Sequence, residues 1–117
     1  MAQVEVRGKL ETRLTSPDLD ILKLPPKMFE PHRLLIMKSL YLHGQAEFRQ
    51  LKHGLRLSDG NLFSHLRALE QENYIEVNKE IVDRKLRTTY ELTGKGKTEL
   101  RKFASVIRLL AKLDEFQ

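Results

Sequence analysis

Leu62, Leu66 and Leu69 recur at spacings of four and three within the run Leu57-Ser58-Asp59-Gly60-Asn61-Leu62-Phe63-Ser64-His65-Leu66-Arg67-Ala68-Leu69. Only a helix brings that spacing onto one face. Ser58 stands where its hydroxyl can accept a backbone N–H of the first turn, so the helix has a start as well as a face. The opposite face carries Gly60, Asn61, Ser64 and Arg67, which are small or hydrogen-bonding, with no long acidic side chain before Glu70. Phe63 lies on the flank. The rest of the chain must cover a narrow leucine seam and leave a short polar face outside.

The covering elements can be read on both sides. Pro31 predicts the start of a helix in which Leu34, Leu35, Met37, Leu40 and Tyr41 recur at helical spacing until Gly44. Ala46 to His53 predicts a short helix with Phe48 and Leu51 on one face and Gly54 as its breaker, and Leu55 and Leu57 plug the corner. Upstream, Ser16-Pro17-Asp18 predicts a short helix through Leu19, Ile21 and Leu22 that stops by Pro25-Pro26, and the first fifteen residues read as an arm. After Asn73 the period changes to two. Residues 74–82 and 86–92 then read as two strands joined by the polar tip Asp83-Arg84-Lys85. Thr93 caps a long helix whose apolar stripe runs through Leu100, Phe103, Ala104, Ile107, Leu110 and Ala111, widened by Val106, Leu109, Leu113 and Phe116.

This order resembles a winged helix-turn-helix domain of the ArsR/MarR-like transcriptional regulators. The resemblance rests on three separated motifs. They are Pro31-His32-Arg33-Leu34, the run Leu57 to Leu62 with Ser64-His65-Leu66 and Leu69-Glu70, and Arg87-Thr88-Thr89-Tyr90-Glu91-Leu92-Thr93 followed by Gly94-Lys95-Gly96. It covers about residues 30–102 and implies a mainly α, α+β fold with a three-helix core, a two-stranded β-hairpin wing and a long C-terminal helix. Residues 1–29 then form an arm and short helix, 30–93 the DNA-binding domain, and 94–117 a helix that is part core and part dimer interface.

The functional expectation follows from this placement. A recognition helix over 58–71 with a short polar face fits a DNA major groove, where Asn61 suits adenine, Arg67 suits guanine and Ser64 can serve a base or a phosphate. Gly60 allows close approach to the sugar-phosphate backbone, and Ser58 at the helix start is counted with them as DNA-binding. Without its neighbours the same segment reads equally as a solvated amphipathic helix. The wing over 82–87 offers Arg84, Lys85 and Arg87 to a minor groove, or else protects a hairpin edge. The net charge of +5 and pI of 9.6 fit an anionic partner. Between residues 46 and 72 the charges cancel, so the attraction must come from Arg84, Lys85, Arg87, Lys95, Lys97, Arg101 and Lys102. Ile107, Leu109, Leu110, Leu113 and Phe116 exceed what one small domain buries and point to a homodimer, unless Leu19, Ile21, Leu22 and Leu24 cover them.

Other classes find little support. The hydrophobic share of 40% and charged share of 32% fit a globular chain. No run approaches the roughly 20 apolar residues of a membrane span, and no secretion signal is present, so a cytoplasmic protein is expected. Cysteine is absent. His32, His43, His53 and His65 show no close paired spacing, so neither a metal site nor a cofactor is expected. No catalytic set converges, and Gly94-Lys95-Gly96-Lys97 lacks the spacing of a phosphate-binding loop, so an enzyme is not expected. No residue pattern specifies a small-molecule effector. The alternatives to a double-stranded-DNA-binding repressor are an architectural protein that coats DNA without sequence preference and a winged-helix protein-interaction module.

Overall fold

The computed structural model describes residues 16–116, which divide into two compact units, residues 25–101 and the segments 16–24 and 102–116. The N-terminal arm expected over 1–15 lies outside the described residues, as does the side chain of Phe116. The smaller unit opens with α1 (Ser16–Leu19), continued as a 3-10 turn over Asp20–Lys23.

The larger unit is built on α2 (Pro31–His43), β1 (Gln45–Glu47), α3 (Phe48–Leu55), α4 (Asp59–Gln71), β2 (Ile75–Val82), β3 (Lys85–Leu92) and the start of α5 (Gly94–Ala111). Each boundary has a local cause. Pro31 occupies the first turn of α2, and the Glu30 carboxylate accepts the Arg33 backbone N–H at 3.0 Å. Gly44, at a φ of 85° that favours glycine, closes α2. Glu47 and Gln50 form a reciprocal cap on α3. Ser58 Oγ accepts from the Asn61 N–H at 3.2 Å to start α4. Asn73, at φ 62°, turns the chain from α4 into β2. Thr93 Oγ1 accepts from the Gly96 N–H at 3.0 Å at the head of α5.

The sheet is three-stranded and antiparallel in the order β1-β3-β2, with Ala46 opposite Tyr90 and Ile75 opposite Leu92. Against it, α2 and α4 bury Ile36, Met37, Leu40, Leu62, Leu66 and Leu69, joined by Met28, Tyr74, Ile75 and Leu92. Each such side chain contributes about 1.5–3 kcal/mol relative to exposure.

Four details differ from the sequence reading. Residues 45–47 are a strand, because pairing with β3 satisfies its backbone, and the helix expected from Ala46 starts at Phe48 instead. Gly54 lies inside α3, which Arg56 ends by adopting φ 56°. The wing turn is Asp83-Arg84 alone, both at positive φ as a two-residue hairpin turn requires, since Lys85 already pairs with Val82. In α2 Ile36 is buried beside Met37 and Leu40, while Leu35 and Tyr41 face solvent. Tyr41 OH instead accepts from Arg101 Nε at 2.8 Å.

Two glycines separate fit from tolerance. A Cβ on Gly96 would run into the Tyr74 carbonyl oxygen and sit 3.1 Å from Leu92 Cδ2, whereas one on Gly54 would meet nothing within 4 Å. Gly96→Ala is expected to destabilise the fold by about 3 kcal/mol, and Gly54→Ala to stabilise it by about 0.5–1 kcal/mol. Urea unfolding midpoints of the two variants measure both.

Candidate nucleic-acid interface

Burying the leucine seam turns the rest of α4 outward. Gly60, Asn61, Ser64 and Arg67 are all exposed, as is Ser58 at the helix start. Lys52 Nζ of α3 meets Asp59 Oδ1 at 2.7 Å, which neutralises the one carboxylate in the first turn of α4 and ties the two helices across their turn. Phe63, 55% exposed, does not pack into the core. With Leu66 and Arg67 it borders a cleft of about 540 Å³ between α4 and the wing, whose other wall includes Val77, Lys79, Thr88 and Tyr90.

The wing extends beyond the core from Asn78 onward. Arg84 and Lys85 sit at its tip, exposed, and make no ion pair with another described residue. Arg87 is different: its Nε meets Glu47 Oε1 of β1 at 3.0 Å. Ile81 and Leu86 face one another across the strands and are 78% and 67% exposed, so the tip joins an apolar pair to its cations. Two of the cations expected to add attraction have internal partners. Lys95 Nζ donates to the Glu72 carbonyl at 3.0 Å and lies 5.3 Å from the Tyr74 ring centroid, and Arg101 stacks 5.5 Å from the Tyr41 ring. The sequence reading missed these pairings, which join residues as far as 60 positions apart.

Beneath α4 lies a polar cluster that sequence spacing did not reveal. His65 stacks on His32 with ring centroids 5.3 Å apart and planes at 17°. Glu30 Oε1 accepts from His32 Nδ1 at 2.8 Å, and Glu30 Oε2 lies 3.5 Å from His65 Nδ1. Arg33 Nε donates to His65 Nδ1 at 3.3 Å, while its Nη1 donates to the Lys27 carbonyl at 3.2 Å. Burial depresses the His65 pKa, the Glu30 carboxylate opposes this, and Arg33 and His32 add to the depression. Burial works to raise the Glu30 pKa, but hydrogen bonds from His32 and the Arg33 backbone, with His65 beside it, hold it below the ordinary value.

Residues 32–113 match the model of a family described as a winged helix DNA-binding domain. The chain is 34% identical over 80 residues to an uncharacterized protein of Methanocaldococcus jannaschii, a match spanning 68% of this chain and 87% of that one. Among solved structures it is similar to a transcriptional regulator homologue from Pyrococcus horikoshii OT3, with a TM-score of 0.71 and 34% identity over 83% of this chain and 97% of that one. Two more distant structures share the fold. A MarR-family protein from Enterococcus faecalis V583 has a TM-score of 0.73 at 17% identity, covering 88% and 93% of the two chains. A PadR-family regulator from Clostridium difficile R20291 has a TM-score of 0.65 at 21% identity, covering 74% and 98%. Among the described residues, no helix is long and apolar enough to cross a membrane.

Tyr90 gives the cleft a titratable marker. Burial raises its pKa above the ordinary 10.0, and the Glu70 charge adds to the shift. The unfolded chain therefore releases this proton first, so the contribution to stability is whole below pH 10 and is lost as pH rises toward the folded value. Urea midpoints should fall above pH 10, and Tyr90→Phe should make that fall shallower.

Proposed function

The chain belongs to the winged helix DNA-binding domain family, and from this we propose that it is a sequence-specific transcriptional regulator, acting as a cytoplasmic homodimer and repressing by occupying promoter DNA. The observation that carries this reading is the division of α4. Leu62, Leu66 and Leu69 are buried, while Asn61, Ser64 and Arg67 share the exposed surface from which a helix reads base edges. In the proposed complex residues 58–71 enter the major groove, with Ser58 and Gly60 at the backbone. The wing over 82–87 lies at the flanking minor groove, with Arg84 and Lys85 against phosphates.

Arg87 joins them by exchanging Glu47 for phosphate. Such an exchange is easy, because exposed ion pairs contribute only about 0–1 kcal/mol. Ile107, Leu109, Leu110, Leu113 and Phe116 are assigned to the dimer contact. Ile107, Leu110 and Leu113 support that assignment by remaining substantially exposed. A two-fold dimer sets two recognition helices roughly 34 Å apart on a near-palindromic site.

Two experiments test the reading. In binding measured over many DNA sequences at two salt concentrations, Asn61→Ala is expected to cost about 1–3 kcal/mol at one base position, and Lys85→Ala to weaken all sequences alike and lower the salt slope by about 1. Equal weakening of all sequences by both variants would identify a DNA-coating protein, and no binding at low salt an interaction module. In sedimentation, Leu113→Glu should convert a dimer to a folded monomer. A wild-type monomer, or a variant that still dimerises, overturns the assigned contact.

A further inference from the structure

We propose that Glu30, His32 and His65 form a binding site for a divalent transition-metal ion of the zinc type, which ties the middle of α4 to the start of α2. One ligand atom from each residue lies within 4.8 Å of the others. Ligands on a tetrahedral ion at about 2.05 Å stand about 3.3 Å apart. Glu30 Oε1 stands 2.8 Å from His32 Nδ1 and Glu30 Oε2 stands 3.5 Å from His65 Nδ1, so side-chain rotation has to bring one carboxylate oxygen and the two ring nitrogens to that spacing. Two imidazoles and one carboxylate suit zinc, cobalt or nickel, whereas magnesium and calcium take all-oxygen sets.

The fold holds two of the ligands in place. Glu30 caps α2, and His32 follows Pro31, whose ring fixes the backbone between them. His65 is carried by α4, whose position the leucine seam sets. Its side chain is 17% exposed, and those of Glu30 and His32 are 30% and 43% exposed, so an ion can enter from solvent and keep water as its fourth ligand. Coordination requires the stacked rings to turn, so that both lone pairs meet in one place rather than in parallel planes.

Arg33 is the built-in competitor. Its Nε donates to the same His65 Nδ1 that the ion would take, and its charge repels a cation. When the ion binds, the guanidinium leaves His65 and keeps its bond to the Lys27 carbonyl. Removing the guanidinium therefore strengthens the site, whereas removing a ligand abolishes it. A cluster that served only to hold two helices together would not respond in these opposite directions.

The test is a Co²⁺ titration of the untagged full chain without DNA, followed by its visible absorption and by Zn²⁺ displacement. Wild type should bind one Co²⁺ per chain with the intense bands of a four-coordinate site, and Zn²⁺ should erase them. His32→Ala and Glu30→Gln, checked as folded by circular dichroism, should lose the bands. Arg33→Gln should keep them and bind about tenfold more tightly. His43→Ala and His53→Ala should behave as wild type. Wild type without bands, bands surviving in His32→Ala, or weaker binding in Arg33→Gln each overturns the proposal.

Discussion

The seam of Leu62, Leu66 and Leu69 under α4 decides what the rest of the larger unit presents to its surroundings. All three are buried against the apolar residues of α2 and the sheet. Turning the helix by one residue would bring Asn61 or Phe63 into the place of Leu62. Burying the Asn61 amide without a partner costs about 1–3 kcal/mol, and the displaced leucine forfeits about 1.5–3 kcal/mol. Orientation is therefore held from both sides. The exposure of Asn61, Ser64 and Arg67 follows from what lies beneath them.

Charge is organised by a weaker rule. A net charge of +5 suggests a broadly attractive surface, yet Arg87, Lys95 and Arg101 each have an internal partner. Their situations are not equivalent. Arg87 holds an exposed carboxylate that a phosphate can replace, while Lys95 and Arg101 also lie over aromatic rings, where departure gives up cation–π attraction as well as a hydrogen bond. The wing-tip cations, by contrast, make no ion pair with another described residue. There Arg84 lies in the two-residue turn and Lys85 begins the strand beside it, both exposed. The start of α5, which the sequence alone credits with the same role, is partly committed to holding α5 in place.

What could be read from the sequence is what depends on near neighbours. The seam, the Ser58 and Thr93 caps, Gly44 and the change of period after Asn73 are all set within a few residues, and all are present in the structure. What escaped depends on distant partners. Three residues at 45–47 cannot display a period of two, and they are a strand only because β3 lies alongside. Gly54 reads as a breaker because glycine costs about 1 kcal/mol in a helix, a penalty that the burial of Leu51 and the Glu47 cap outweigh. The cluster of Glu30, His32 and His65 was invisible for the same reason. No spacing rule links positions 32 and 65, and only the packing of α4 on α2 brings the rings together.

The stripe on α5 shows how far an apolar pattern carries an argument about association. Val106 is buried, while Ile107, Leu110 and Leu113 remain between about a third and two thirds exposed. Covering the exposed part of each gains about 1 kcal/mol. Six such side chains in a two-fold contact therefore offer about 6 kcal/mol, against an association cost of about 4–15 kcal/mol. That is too close for a dimer to rest on α5 alone. In the smaller unit Leu19 and Leu22 are also exposed, Leu22 at 79%. Their burial by the second protomer would add about 4 kcal/mol on the same reckoning. In the proposed dimer, the short α1 segment and the turn after it are therefore what raises a marginal helix contact toward a lasting one.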